Sequence, residues 1–294
     1  MKLALFLTAS FVAIALFESA LGLYGPRAAA TEADWQAASA RVRGDLQADD
    51  LIVFAPTWVD QTGRKHLGDR MPVSMVARAD DDRYGRIWEL SIRGARSEDT
   101  KGLVAELEEK FGRVTVRRFT KPAQKVLRDL VDDFASAEVG LRSGDAAAEL
   151  TPCIVDGNAR HCGPIKIGPR VLEIDYRPRR GILAPLLSGK TVVITYNDVP
   201  AGKLVGYVGL HDYYARKSAD GVVTFRASVD DSQSVTLPVR SPPANEAGGA
   251  EAKVAQWHRY ELDLGPGTHR VRFELSSDMP ASRLPGFSAE VRAP

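Results

Sequence analysis

The segment HRVRFELSS, residues 269–277, alternates the apolar residues Val271, Phe273 and Leu275 with charged ones. Successive side chains of a β-strand point to opposite faces, so this pattern predicts a strand with one buried and one solvated face. Eight or nine such segments follow one another after residue 122, at a spacing of roughly 8 to 15 residues and separated by Gly, Pro, Asn and Asp. We therefore expect an all-β sandwich or jelly-roll domain over residues 122–294.

Residues 31–121 have a different pattern, in which apolar strand-like runs alternate with helical spacing. TEADWQAASARVRG predicts a helix with Thr31 as its N-cap, and DLIVFAP, RIWELSIRG and RVTVRRFT predict strands. A second helix is predicted from Ser97 to Phe111, because Leu103, Leu107 and Phe111 recur at four-residue steps. Strands alternating with helices predict an α/β domain, with a mostly parallel, helix-covered sheet.

Residues 1–30 predict an export segment. Lys2 precedes an uncharged, mostly apolar run from Leu3 to Phe17, and after Glu18 a further apolar stretch continues to Tyr24. A short apolar core behind a lysine is typical of a signal peptide, whereas the full stretch is long enough for a single membrane anchor. Both alternatives give an extracytoplasmic location, in the periplasm or cell envelope, either membrane-anchored or secreted.

Two cysteines, Cys153 and Cys162, bracket a short loop. Cysteines this close in an exported protein favour a disulfide, which would contribute roughly 2.7 kcal/mol for a loop of about ten residues. Unpaired structural thiols and a metal site remain alternatives, but His161 is the one adjacent residue of a metal-binding type. The formal net charge of +1 gives no field that would concentrate nucleic acid, so we expect no nucleic-acid partner.

The loop that follows DLIVFAP is a candidate ligand site, because ligands gather at the carboxyl ends of parallel strands. Trp58 could stack on a sugar, and two carboxylates and two basic side chains could bind hydroxyl or phosphate groups. The alternative is structural, with the tryptophan packed under the loop and the polar residues capping turns or solvated. The candidate ligand-binding residues are Trp58, Asp60, Lys65, His66 and Asp69.

A second candidate is the segment GYVGLHDYYARKSADG, residues 206–221, which ends a predicted strand of the sandwich. Aromatic rings beside polar groups suit sugar recognition, since a ring face covers the apolar side of a pyranose. The structural alternative places one tyrosine in the core and one at the rim. The candidate ligand-binding residues are Tyr207, His211, Asp212, Tyr213 and Arg216.

Motifs of known catalytic or cofactor chemistry are absent from the sequence. There is no G-x-S-x-G segment for a serine nucleophile and no G-x-G-x-x-G segment for a dinucleotide. The acidic run Asp80, Asp81 and Asp82 is interpreted as a solvated turn. We therefore predict no catalytic residue, no metal and no cofactor.

Several segments resemble a known family. GDLQADDLIVFAPTWVD, RIWELSIRG and LEEKFGRVTVRRF resemble the extracytoplasmic α/β part of bacterial relatives of the dolichyl-phosphate-mannose protein mannosyltransferases. RPRRGILAPLLSGKTVVITYNDVPAGKLVGYVGL resembles the carbohydrate-binding-type β-sandwich sometimes joined to it. The resemblance covers residues 45–294. Those enzymes, as the family implies, carry their catalytic acidic residue between several membrane helices, so their activity does not transfer to this chain.

These observations predict a non-catalytic envelope protein that binds glycan or a lipid-linked sugar, beside a separate membrane glycosyltransferase. Two alternatives stay open: a glycan-active hydrolase or transferase, and an assembly protein that binds another protein. Its contact with the membrane would be made through the N-terminal segment.

Overall fold

The chain divides into two structural units in the computed structural model, one made of residues 1–71 and 84–121 and the other of residues 72–83 and 122–294. The structure describes residues 10–19, 29–144, 148–174, 177–211, 221–240, 257–279 and 284–294. Residues 10–19 are helical. Within the described ranges, no helix combines the length and the apolar character that crossing a membrane requires.

Apart from the helical residues 10–19, the described part of the first unit contains two α-helices, a four-stranded sheet and short 3-10 turns. Its elements are α1 (Glu32–Asp45), β1 (Asp50–Ala55), a 3-10 turn (Thr57–Val59), α2 (Asp60–Leu67), a 3-10 turn (Gly68–Arg70), β2 (Arg86–Ile92), a 3-10 turn (Glu98–Thr100), β3 (Leu107–Phe111) and β4 (Val114–Thr120). The predicted first helix is confirmed. Thr31 accepts from the backbone N–H of Asp34, whose side chain accepts in return from that of Thr31.

The prediction of a mostly parallel, helix-covered α/β sheet is wrong. The strand order is β1-β2-β4-β3, and only the β1–β2 pair is parallel, while β2–β4 and β4–β3 are antiparallel. In one face of this sheet, Trp88 of β2 lies beneath the guanidinium of Arg41 from α1. Within the helix predicted from Ser97 to Phe111, Ser97 and Thr100 instead contribute to a polar cluster around Glu89.

The helix predicted from Ser97 to Phe111 is therefore a 3-10 turn followed by β3. Gly102 has a φ of 79°, a left-handed conformation that ends the helical turn. From Leu107 onward the residues pair with β4, and their exposure alternates along the strand. The four-residue spacing of Leu103, Leu107 and Phe111 fits a helix. The hydrogen bonds that residues 107–111 form with β4 stabilise a strand instead, and the local spacing does not show this pairing.

The second unit is almost entirely β-structure. Its elements are α3 (Val73–Val76), β5 (Val126–Asp129), a 3-10 turn (Phe134–Ser136), β6 (Glu138–Ser143), β7 (Leu150–Pro152), β8 (Ile154–Asp156), β9 (Ala159–Cys162), β10 (Ile165–Ile174), β11 (Arg177–Leu183), β12 (Lys190–Leu210), β13 (Val222–Val229), β14 (Gln233–Arg240), β15 (His258–Ser277) and β16 (Pro285–Arg292). Each strand pairing in it is antiparallel, along the order β14-β13-β15-β12-β16-β11-β10-β9-β8.

This sheet folds over on itself through two long strands. The first half of β12 lies between β15 and β6, and its second half lies between β15 and β16. Three strand spacings separate β13 from β16, which is about 14 Å in a flat sheet. The ring centres of Phe225 on β13 and Phe287 on β16 are nevertheless 5.6 Å apart. The two strands therefore face each other across one core, and the predicted β-sandwich is confirmed.

Both ring nitrogens of His269 on β15 face hydrogen-bond acceptors. Its Nδ1 is 2.7 Å from an Asp230 carboxylate oxygen, and its Nε2 is 2.8 Å from the Gly265 carbonyl oxygen. Both partners can only accept hydrogen bonds, so the pair selects the imidazolium form. The hydrogen bond to Asp230, and next the one to Gly265, raise the pKa of His269 above its ordinary value of 6.5.

This pKa shift predicts a loss of stability at alkaline pH. Below pH 6.5 the histidine is protonated in the unfolded chain as well, and the pairing of His269 with Asp230 contributes its full stabilisation to the folded protein. This contribution is lost as the pH rises through the higher pKa of the folded state. We expect the melting temperature of His269→Gln to fall less than that of the wild type between pH 6 and pH 8.5, measured by circular dichroism. Equal pH profiles would contradict the assignment. Comparing the two proteins also cancels the opposite contribution of His258, whose pKa is lowered by burial.

Candidate functional site

The carboxyl ends of β1 and β2 form the one parallel strand end in the described residues. Ala55 ends β1 opposite Ser91 of β2, so both strands end at the same edge of the sheet. Trp58 follows β1 after two residues, and Arg93 follows β2 directly. Parallel strands commonly present ligand-binding groups at this edge, because the loops that leave it diverge.

Trp58 is unusual among the four tryptophans of the chain. Its exposed fraction is 63%, whereas Trp35 and Trp88 are buried and Trp257 is half-buried. It lies in the 3-10 turn, where its neighbour Val59 is buried and anchors the segment. A large apolar side chain held in water by a fixed backbone contributes little to the core, so the indole of Trp58 is accessible to a ligand.

Arg93 lies over this indole ring. Its guanidinium carbon is 5.8 Å from the ring centre, within the range of a cation–π contact. In the described part of the chain no carboxylate pairs with this guanidinium. Trp58 and Arg93 together form what we call the Trp58–Arg93 platform: an apolar ring face next to an unneutralised cation on the surface of the first unit.

The backbone at Arg93 adopts a conformation that disfavours arginine. Arg93 and Gly94 have φ values of 56° and 72°, and the Ala95 N–H donates to the Ile92 carbonyl oxygen at 3.1 Å. These values are typical of a type I′ turn, in which Gly, Asn or Asp is preferred at both central positions. A residue with a β-carbon in this region costs roughly 1–2 kcal/mol. Such strain concentrates at functional sites.

The rest of the predicted ligand-facing loop is helical, and its charges are paired within the first unit. Asp60 begins α2 and pairs with Arg64 at 2.6 Å. Lys65 bonds to Glu32 of α1 at 2.9 Å, and its hydrogen bond lowers the pKa of that carboxyl. The Lys65–Glu32 pair joins α2 to α1, whereas the Asp60–Arg64 pair lies within α2.

The two remaining residues of that loop also contact α1. Asp69 accepts from both terminal nitrogens of Arg43, at 2.5 and 2.8 Å, and these bonds lower the pKa of Asp69. His66 is nearly buried, and its ring stacks on Trp35 with 6.4 Å between the ring centres. Binding of a ligand through these side chains stays a prediction.

Of the candidates in segment 206–221, two can be placed. The Tyr207 hydroxyl donates to Asp80 at 2.5 Å, and the His211 backbone N–H donates to the Leu284 carbonyl oxygen at 3.0 Å. Asp212, Tyr213 and Arg216 lie outside the described residues. Tyr207 also lies 6.3 Å from Trp257, ring centre to ring centre, in an edge-to-face contact.

Tyr207 lines a cavity of about 50 Å³ within the second unit, together with Asp80, Glu290 and Arg292. The interpretation of Asp80 as a solvated turn residue is wrong, because its side chain is only 15% exposed. Burial opposes its ionisation, but hydrogen bonds from Tyr207 and Arg292 outweigh burial and lower the pKa of Asp80. Burial raises the pKa of Glu290 despite the nearby guanidinium.

The charged side chains that line this cavity form hydrogen bonds with one another. The Arg292 side chain donates from its Nε to Glu290, from its Nη1 to Asp82 and Gln124, and from its Nη2 to both oxygens of Asp80. All five guanidinium N–H groups therefore have acceptors. A volume of this size holds one or two water molecules and no sugar ring. The carboxylates of Asp80, Asp82 and Glu290 all bind the Arg292 guanidinium, which favours a structural role for the cluster.

The predicted disulfide between Cys153 and Cys162 is confirmed. It joins the residue that precedes β8 to the last residue of β9, across a β-hairpin. Cys162 packs in the sandwich core, with Cys153 against its edge. The bridge therefore stabilises one end of the sheet.

No family model and no curated protein matches the sequence. Among solved structures, the chain is similar to the CBM51-2 and INT domains of Clostridium perfringens ZmpB in complex with GlcNAc, with 13% identity and a TM-score of 0.33 over 58% of this chain and 40% of that one. It is also similar to the secreted serine protease VesC of Vibrio cholerae, with 13% identity and a TM-score of 0.30 over 63% and 31% of the two chains.

A third similar structure is the CBM35 of Cellvibrio japonicus Abf62, with 14% identity and a TM-score of 0.26 over 52% of this chain and 92% of that one. The chain spans less than half of the length of the first two structures. Membership of the mannosyltransferase family is not supported by a matching family model.

The sequence located one half of the Trp58–Arg93 platform and missed the other. The position of Trp58 after a buried strand predicts it as a site residue, whereas none of the patterns above includes Arg93. The signal that could have identified it is the dipeptide Arg93-Gly94 at the end of RIWELSIRG, which places a charged residue in a turn directly after a strand.

Proposed function

We propose that this chain is a non-catalytic, extracytoplasmic carbohydrate-binding protein, and that the Trp58–Arg93 platform makes the principal contact with the sugar. The observation that carries the proposal is the exposed indole of Trp58, at the parallel edge of the sheet in the first unit. An indole face covers the apolar C–H side of a pyranose, while neighbouring polar groups bond its hydroxyls.

The location and the partners belong to the same proposal. A disulfide persists in an oxidising compartment, and the apolar run near the N-terminus is typical of exported proteins. Action beside a membrane glycosyltransferase, on glycan or lipid-linked sugar, follows from the resemblance of residues 45–294 to the mannosyltransferase family. Tyr207 and His211, in the last residues of β12 and directly after it, are proposed as a second contact with the sugar.

Replacing Trp58 tests the proposal. We expect Trp58→Ala to lower the affinity for a bound oligosaccharide at least tenfold, since stacking on an aromatic ring contributes on the order of 1.5 kcal/mol. The melting temperature should change little, because the side chain is largely in water. The measurement is a glycan array with the full chain, followed by calorimetric titration of each oligosaccharide that is retained.

Val104→Ala is the matched control, because Val104 is an apolar residue of the same unit with an exposed fraction of 87%. It should leave both binding and melting unchanged. Retention of glycans by Trp58→Ala at wild-type affinity would remove Trp58 from the site. An array on which the wild-type chain retains no glycan would overturn the proposed function.

A further inference from the structure

We propose that the Trp58–Arg93 platform selects acidic sugars, those that carry a carboxylate, sulfate or phosphate group. This inference rests on the proposed function and adds a ligand class to it. The geometry that carries it is a guanidinium without a protein counter-ion in the described residues, held 5.8 Å from the centre of an exposed indole.

The charge of Arg93 stands apart from that of its basic neighbours. Arg96 contacts Glu89 at 3.4 Å, and Arg117 binds Glu89 and Glu108 at 3.0 and 2.7 Å. Both of these guanidinium groups are therefore satisfied inside the unit. Arg93 is exposed to solvent and lies by the indole, so among the described residues no carboxylate competes with an anionic group of a ligand.

The turn fixes where this charge lies. The type I′ geometry and the Ala95–Ile92 hydrogen bond hold the Arg93 backbone at the end of β2, next to the 3-10 turn that carries Trp58. Glycine or asparagine would relieve the strain at this position. An arginine at this position lowers the stability of the fold, which is consistent with a side chain that serves ligand binding and not packing.

A pyranose stacked on the part of the indole that is exposed beside the guanidinium would bring an acidic substituent at its rim next to Arg93. Arginine matches carboxylate, sulfate and phosphate groups through two parallel N–H donors, and such charge-assisted hydrogen bonds are stronger than neutral ones. A neutral sugar on the same ring would gain the stacking contact alone. The platform thus separates an apolar contact common to all pyranoses from an ionic one specific to acidic sugars.

The test compares acidic and neutral oligosaccharides on the wild-type full chain and on Arg93→Gly, Arg93→Lys and Trp58→Ala. The array carries uronate, sulfated, phosphorylated and neutral oligosaccharides, and its acidic arms identify which anion is preferred. For the wild type we expect an affinity for the best acidic ligand about tenfold above its neutral counterpart, falling as salt is raised.

Arg93→Gly should reduce this preference to about onefold, because it lowers the affinity for acidic ligands more than the affinity for neutral ones, and it should melt at a temperature at least as high as the wild type. Arg93→Lys keeps the charge and the strained backbone but loses the planar fork, so its preference should be intermediate. Trp58→Ala should lower the affinity for acidic and for neutral ligands by the same factor. A purely structural arginine would lower the melting temperature when replaced and leave the ratio of affinities unchanged.

The two proposals fail in different ways. If the wild type binds glycans but shows equal affinity for acidic and neutral ones, or if Arg93→Gly keeps the acidic preference, the selection for acidic sugars is wrong and the carbohydrate-binding function stands. If no oligosaccharide of either class binds, the carbohydrate-binding function itself is overturned.

Discussion

Replacing Arg292 by alanine should destabilise the second unit by about 3–5 kcal/mol. Arg292 is the last residue of β16 and is 2% exposed, and its five N–H groups bond to Asp80, Asp82, Gln124 and Glu290. Alanine would leave three carboxylates close together, two of them largely buried, with their principal counter-charge removed. The measurement is urea denaturation followed by circular dichroism, with hydrogen exchange at the β12 and β16 amides to locate the effect.

The pH dependence should reverse in this variant. In the wild type, the lowered pKa of Asp80 contributes stability that is present above its unfolded pKa of about 3.8 and is lost as the pH falls through the lower folded value. Without Arg292, protonation of the cluster relieves repulsion, so the stability deficit relative to the wild type should shrink between pH 7 and pH 4. A deficit that is constant over this range would contradict the assigned cause.

Two further variants separate charge from hydrogen bonding at this site. Arg292→Lys keeps the charge but supplies three donors, so an intermediate loss is expected. Arg259→Ala is the matched control, since Arg259 reaches Asp82 at 3.8 Å and Glu261 at 2.5 Å but is 45% exposed. Its removal should cost less than about 1 kcal/mol. An equal loss for Arg259→Ala and Arg292→Ala would mean that burial does not determine the effect.

The sequence predicted the sandwich because its strands are half-buried, so that alternation is visible within each segment. It did not predict that TVVITYNDV and KLVGYVGL form one strand, Lys190–Leu210, because the register shifts between Tyr196 and Val199 and between Pro200 and Gly202 resemble a turn in the sequence. In the first unit, the partner of β3 decides its conformation. Local spacing within residues 97–111 contains no information about β4.

The candidate site was partly predictable for a similar reason. Trp58 follows an apolar run directly, and its position after the strand is a local property. Lys65 pairs with Glu32, and Asp69 pairs with Arg43. Both pairs join segments that are distant in sequence, so the sequence does not show that these side chains already have ionic partners. The proximity of Arg93 to Trp58 depends on the parallel pairing of β1 with β2, which brings residues 58 and 93 to the same edge of the sheet.

Glu89 is the equivalent test in the first unit, and we expect Glu89→Ala to cost about 3–5 kcal/mol. Glu89 lies in the middle of β2 and is fully buried. It accepts from Arg117 at 3.0 Å, from the Ser97 N–H at 2.8 Å and from the Thr100 hydroxyl. Alanine would leave the Ser97 N–H, the Thr100 hydroxyl and the buried guanidinium of Arg117 without this acceptor. Urea denaturation followed by tryptophan fluorescence reports on this unit, because Trp35 and Trp88 are buried in it.

Glu108→Ala provides the matched control, because Glu108 binds the same Arg117 at 2.7 Å but is 48% exposed. Solvent can replace its carboxylate, so a loss below about 1 kcal/mol is expected. Glu89→Gln keeps the shape of the side chain and an acceptor oxygen but removes the charge, so it should lie between the two. If Glu89→Ala and Glu108→Ala both reduce the free energy of unfolding by less than about 1 kcal/mol, the polar cluster around Glu89 does not hold the segment between β2 and β3 in place. That segment begins with Arg93, so its order bears directly on how firmly the Trp58–Arg93 platform is held.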